Sequence, residues 1–291
     1  MKLRNLVSII LLLSLCWTIT SKAQEAHQSD SVSSSRGGDE FSWDISIAID
    51  LIAESPFIIG ANQEDEFDYL DMSILLDVYY RGFFIQSNRH RYSSYVNGGE
   101  LGYELEVNES YEVDLIFKGY LPGFSSDYAG FAGVDEGEIE GLEGIDSRYG
   151  ILHTGIRYMR YLENAVYWVD VAGDIFTDTH NGWVVDSFYS YILQRRNWDI
   201  NLGVGASFFS SKMNSYYFSV EPEEAKESRP IYQVGSGYRL QAEVFFQRPI
   251  SESWLFNGGV TLSHYSNSIG NSPLIVSKNI IRAQIGAKYV F

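Results

Sequence analysis

The chain has 291 residues, with 38 acidic against 21 basic side chains and a formal net charge of −17. That balance argues against nucleic acid or another polyanion as the main partner. Hydrophobic residues make up 45% of the chain, yet beyond the N-terminus no segment supplies the roughly 18 consecutive apolar residues a spanning helix needs, so any membrane crossing falls to the strands of a closed barrel.

The chain opens with Lys2 and Arg4, an apolar run from Leu6 to Trp17, and a polar stretch with Ser21 and Ala23 ahead of Gln24. This is the pattern of a cleaved secretory signal over residues 1–23, too short and wrongly flanked for a spanning helix. The one cysteine, Cys16, lies within it after Leu15, where lipidation would require a small residue; the mature chain is expected to carry no disulfide. Residues 24–40 are polar, rich in Ser and Gly, and aperiodic. They are expected to form a disordered periplasmic lead.

From residue 41 the period is two. Phe41, Trp43, Ile45, Ile47, Ile49 and Leu51 alternate with Ser42, Asp44, Ser46, Ala48 and Asp50, and the same pattern recurs to the end of the chain. It predicts strands at 41–53, 69–80, 82–88, 99–107, 109–120, 149–160, 164–176, 182–194, 196–209, 234–248, 252–266 and 277–291. Turns near Tyr80-Arg81, Asn108, Leu162-Glu163, Arg195 and Ile250-Ser251 are tight, and the intervening connections are mostly longer. With both termini periplasmic, every long loop falls outside the cell, including the two longest polar connections, 121–148 and 210–233. Residues 41–291 are therefore expected to form an all-β, transmembrane, antiparallel up-and-down barrel of about twelve strands in the outer membrane. Trp43, Tyr80, Trp183, Trp198, Tyr238, Trp254 and Tyr289 end the outward rows, as interfacial girdles do. Outer-membrane lipids and lipopolysaccharide are the expected surroundings. The last strand ends its outward row on Tyr289 and Phe291, resembling the strand by which the barrel-assembly machinery recognises its clients.

The inward rows carry acids and fewer bases. Asp199, Arg239, Glu243 and Arg282 are expected to belong to a polar network across the lumen, with Asp199 and Glu243 relying on Arg239 or a nearby base. The alternative for the same residues is a small cation-preferring channel. Asp135, Glu136, Glu138 and Glu140 crowd one long loop, where they would bind a divalent cation or simply be solvated; the ordered spacing of a calcium loop is missing. No motif calls for a cofactor. His264-Tyr265-Ser266-Asn267 ends the eleventh strand, and the alternation from Trp254 places His264 and Ser266 on the lipid side, with Asn279 on the next strand as an orienting residue. A base, a nucleophile and an orienter at the outer leaflet are what lipid ester hydrolysis requires. The pattern resembles the His-x-Ser of outer-membrane phospholipase A and the His-x-Ser-Asn of the lipid A deacylase, although no acid follows Glu252. A chance His-x-Ser at a polar strand end is the alternative.

A broader resemblance covers nearly all of the mature chain. Asn214 to Val220, Glu224-Ala225 and Pro230 to Gly237 are similar to a loop-and-strand signature of the MipA/OmpV family of outer-membrane proteins; Ser272 to Val276 is similar to its second stretch. Ile59-Gly60 and Tyr80 to Phe84 fit the family's opening hairpin without its proline. The resemblance implies a non-enzymatic interaction protein that holds a lytic murein transglycosylase and a murein synthase together.

Overall fold

The computed structural model describes residues 41–60, 69–87, 99–125, 127–128, 137–139, 141–175 and 179–291. The expected signal and lead segments, 1–40, lie outside the described residues. All twelve expected strands form: β1 (Ser42–Glu54), β2 (Leu70–Tyr80), β3 (Phe83–Ser87), β4 (Gly99–Val107), β5 (Tyr111–Gly119), β6 (Leu152–Leu162), β7 (Ala165–Gly173), β8 (Trp183–Arg195), β9 (Trp198–Phe209), β10 (Gly237–Pro249), β11 (Trp254–Tyr265) and β12 (Asn279–Val290). Each pairs antiparallel with its neighbours in sequence, and β1 closes on β12 from Ser46↔Val290 to Glu54↔Arg282. Closure leaves no unpaired sheet edge, which is the condition for strands to stand in lipid.

Alternation divides the wall as expected. Ile49, Leu51, Met72, Ile74, Val204 and Leu262 are exposed on the outer face, whereas Ser46, Ala48, Asp50, Ser73 and Asp170 are buried on the inner one. Aromatics stand at both rims: Trp254 meets Tyr289 at 5.1 Å, and Tyr289 meets Phe291 at 4.9 Å, near the short turns. Trp183 stacks on Phe208 near the long loops.

The short turns carry their own chemistry. Arg81 and Gly82 both have positive φ, 49° and 82°, as a two-residue hairpin following the strand twist requires. Asn108 Oδ1 accepts from the backbone N–H of Ser110 and of Tyr111, each at 3.0 Å, fixing the β4–β5 turn. A bulge at Leu105 shifts the β4–β5 register.

At the other end the connections are not plain polar loops. Ser210 caps a helix, α1 (Ser211–Phe218), by accepting from Met213 N–H. Met213, Tyr217 and Phe218 from α1 pack with Ile58, Leu121, Leu142, Ile145, Val234, Ile269 and Leu274, and with the wall residues Val184, Phe209 and Ile280. An apolar cap thus fills the long-loop mouth of the barrel. Among the described residues of the two longest polar connections, 121–148 and 210–233, several polar side chains are themselves buried in the cap, Arg148, Asn214, Ser219, Glu224 and Arg229 among them. The apolar residues of these connections, too sparse to register as a strand, form its core.

Small residues set how closely the inner wall packs. A Cβ on Gly102 would lie 2.1 Å from the Phe84 ring, whereas one on Gly119 would meet nothing closer than a carbonyl at 3.8 Å. Gly102→Ala is expected to cost ~1–3 kcal/mol by overpacking. It should lower the temperature at which heat-modifiable gel mobility is lost, with Gly119→Ala close to wild type in the same assay.

Candidate functional site

The centre of the barrel is an ionic row rather than a passage. Gln86 on β3 faces Glu100 on β4, which faces Lys118 on β5; Arg157 on β6 faces Asp170 on β7, then Asp186 on β8, Ser207 on β9 and Arg239 on β10. Within each of these two runs consecutive strands offer inward positions at matching heights; between β5 and β6 the register sets Lys118 opposite His153 and Arg157 opposite Asp114, so the runs join through the long Lys118 and Arg157 side chains. Arg157 grips Glu100 with two parallel bonds, 2.5 and 2.6 Å, and reaches Asp170 through Nε at 2.8 Å. Lys118 donates to Asp170 at 2.9 Å and lies 3.7 Å from Glu100 and 3.8 Å from Asp186. Tyr120 donates to Asp170 at 3.1 Å. Ser207 donates to Asp186 at 2.6 Å and accepts from Arg239 at 3.1 Å. Glu100 and Asp170 have no exposed side-chain surface, so each depends on its partners for the solvation it has lost.

Below this row, toward the short turns, Met159, Trp168 and Phe188 form an apolar layer. Above it the cap begins. Arg148 meets Glu224 at 2.5 Å, and Glu224 also accepts from the backbone N–H of Asp146 and of Glu221, each at 3.0 Å. Arg229 donates to the carbonyls of Gly141, Glu143 and Glu224. Burial opposes ionisation of Glu224, but the two backbone donors and the Arg148 guanidinium outweigh it and hold its carboxyl below the ordinary range. The contacts tie connection 120–151 to connection 210–236. Residues of the family-like stretches build the same cap: Asn214 donates to the Gly235 carbonyl, Ser219 accepts from Val234 N–H, Tyr232 donates to the Ser268 carbonyl, and Ser272 donates to the Phe218 carbonyl.

Of the four lumen residues singled out by sequence, Asp199 and Arg239 stand far apart. Arg239 binds Ser207 and stacks at 5.9 Å on Phe209. Asp199 stands eight positions from Ser207 along β9, about 26 Å at strand rise, too far to share Arg239. Glu243 accepts from Gln241 at 2.8 Å, and Arg282 binds Glu54 at 2.7 Å. Glu100, the bidentate partner of Arg157, escaped the sequence reading, although its phase with Gly102 and Glu104 places it inward. Glu224 lies in the family-like stretch, but strand alternation could not pair it with Arg148, since neither residue lies on a strand.

His264 Nδ1 and Asn279 Oδ1 lie 2.7 Å apart across β11 and β12, as the register His264↔Asn279 demands. Ser266 departs from the expected lipid-facing position. β11 ends at Tyr265, and Ser266 opens a short helix, α2 (Asn267–Gly270). It is buried, accepts from Tyr238 N–H at 3.2 Å and meets Ser268 Oγ at 2.9 Å. The base and the orienting residue therefore come together, while the hydroxyl is engaged elsewhere. Asp135, Glu136 and Glu140 lie outside the described residues. Glu138 pairs through its backbone with Asp127 in a two-residue ribbon. Among the described residues no cluster of His, Cys, Asp or Glu is fit to hold a metal ion.

A family model described as MltA-interacting protein MipA matches residues 56–291. Outer membrane protein Omp26La of Vibrio anguillarum is 23% identical over 160 residues, 55% of this chain and 60% of that protein. OmpV of Vibrio cholerae is 23% identical over 145 residues, 50% and 56% of the two chains. The MltA-interacting protein of Escherichia coli K12 is 22% identical over 146 residues, 50% and 58%. The chain thus spans at most 60% of the length of these relatives. Among solved structures, the DcaP channel of Acinetobacter baumannii has a TM-score of 0.41 at 9% identity, covering 88% of this chain and 99% of its own.

Two outcomes follow from the ion pairs. Arg157→Ala leaves Glu100 and Asp170 buried beside a single lysine and should cost ~3–5 kcal/mol, whereas Arg239→Ala, which loses a serine contact, should cost visibly less; thermal loss of gel mobility compares them. Because Glu224 ionises below its unfolded value, its contribution to the cap is complete at neutral pH and is lost as pH falls through that lowered value. Hydrogen exchange of residues 211–236, corrected for intrinsic rate, should accelerate in acid below the ordinary glutamate range, and Arg148→Gln should show the loosened cap already at neutral pH.

Proposed function

Because the chain belongs to the MltA-interacting protein family, we propose that this outer-membrane barrel is a non-enzymatic scaffold. In this reading it brings a lytic murein transglycosylase and a murein synthase together at the inner side of the outer membrane. The observation that carries the reading is the filled interior. A row of buried ion pairs spans the lumen and an apolar cap occupies its outer mouth, so the barrel offers its outside and its ends rather than a path through it. Murein lies on the short-turn side. The tight turns there, held by Arg81-Gly82 and Asn108, present a rigid rim for docking.

The lipid esterase alternative is supported by the His264–Asn279 contact alone, since Ser266 is drawn into the start of α2. The channel alternative would need Lys118 and Arg157 to leave Glu100 and Asp170, which buried charges resist.

The test uses the full-length protein in detergent. A lytic transglycosylase is expected to co-purify with it from outer-membrane extracts. Ester-labelled phospholipid and lipid A should be turned over no faster than with Ser266→Ala, and planar bilayers should carry no steady current. Hydrolysis that disappears in Ser266→Ala would replace the scaffold with an enzyme, and a cation-selective current would replace it with a pore.

A further inference from the structure

Most of the barrel's bases are engaged. Lys118, Arg148, Arg157, Arg229, Arg239 and Arg282 bind acids, carbonyls or hydroxyls in the lumen and cap. Arg81, Arg160, Arg195, Arg196 and Arg248 make no side-chain hydrogen bond or ion pair among the described residues, and all are exposed. Every one lies at the short-turn end: Arg81 and Arg196 in turns, Arg160, Arg195 and Arg248 within two residues of a strand's end. In a chain of net charge −17, a rim of unpartnered guanidiniums is not what composition alone would leave.

On one side of this rim the cations join an aromatic floor. Arg195 on β8 is opposite Trp198 on β9, and Arg248 on β10 is opposite Phe256 on β11. Asp199 pairs with Gln247, so Trp198 and Arg248 occupy the next rung of the same ladder. Arg195, Trp198, Arg248 and Phe256 therefore form one lateral row on the outer face, with strands ~5 Å apart. The Arg248 guanidinium lies 5.6 Å over the Trp198 ring, and Trp198 meets Phe246 at 5.8 Å and Phe256 at 6.1 Å. A guanidinium stacked on an indole keeps its in-plane N–H fork free for an oxyanion. Leu202 and Val244, paired and exposed four residues further into the belt, continue the apolar surface away from the rim.

We propose that Arg195, Trp198 and Arg248 form a binding site for the phosphate of an anionic phospholipid in the leaflet on the short-turn side, with the acyl chains laid along Leu202 and Val244. The occupant is a lipid rather than a soluble anion because the cations face outward at the height of an aromatic girdle, where headgroup phosphates lie, and because the floor beneath them is apolar. A choline or ethanolamine headgroup brings its own cation against the two arginines and is disfavoured, so the site selects net negative charge.

The test is native mass spectrometry of the full chain released from detergent micelles containing dioleoylphosphatidylglycerol or dioleoylphosphatidylcholine. Wild type is expected to retain phosphatidylglycerol in preference to phosphatidylcholine. The Arg195→Gln/Arg248→Gln double variant should retain it about thirtyfold less well, as loss of two interfacial cations implies. Lys212→Gln, on the cap, should behave as wild type. Heat-modifiable mobility establishes that each variant is folded, as exposed, unpaired arginines should allow. Equal retention of the two lipids by wild type, or undiminished retention by the double variant, would overturn the proposal. Displacement of phosphatidylglycerol by inorganic phosphate alone would make this a free-anion site and overturn the lipid assignment.

Discussion

The interior rests on the grip of Arg157 between Glu100 and Asp170. Three elements of the wall, β4, β6 and β7, are joined by that one guanidinium, and Lys118 extends the join through β5 to β8. None of these charges has water to fall back on, so the group stands or fails together. A barrel of twelve strands could enclose an aqueous lumen. Here side chains from β3 to β10 meet one another across the interior, and the apolar layer of Met159, Trp168 and Phe188 lies below them.

The cap follows from the same constraint. A row of buried charge is stable only while water is kept from prying its members apart. Connections 120–151 and 210–236 meet at the long-loop end through Arg148, Glu224 and Arg229, and α1 pushes Met213 and Tyr217 inward over the wall. The family-like residues Asn214, Ser219, Tyr232 and Ser272 serve this architecture through single hydrogen bonds to backbone. In this chain the family-like stretches thus fold loops onto the barrel mouth.

How much of this was legible in the sequence depended on whether the controlling interaction was local. The strands were, because a side chain's face is set by parity alone. The same parity points Lys118, Arg157 and Asp170 inward. It cannot say which meets which, since partners are chosen by the stagger between strands, and of the bases parity offers Asp199, Arg239 stands ~26 Å away along the strands. Ser266 was misplaced for a related reason. Parity holds only while the strand lasts, and β11 stops at Tyr265 where a helical turn begins. The cap was hidden because its apolar residues are dispersed through segments that are polar on average.

The closing pair of strands has a consequence in time. β1 is completed on its far side only by β12, and contacts such as Asp50 with Asn257 and Glu54 with Arg282 join residues more than two hundred positions apart. The central ion row, by contrast, draws on residues 86 to 239 and is available before the last strands are placed. A chain placed only as far as β10 would already contain every residue of that row, while β1 still lacked the partner for its far side. Until the last strand met the first, both would present the kind of open edge that pairs with other chains.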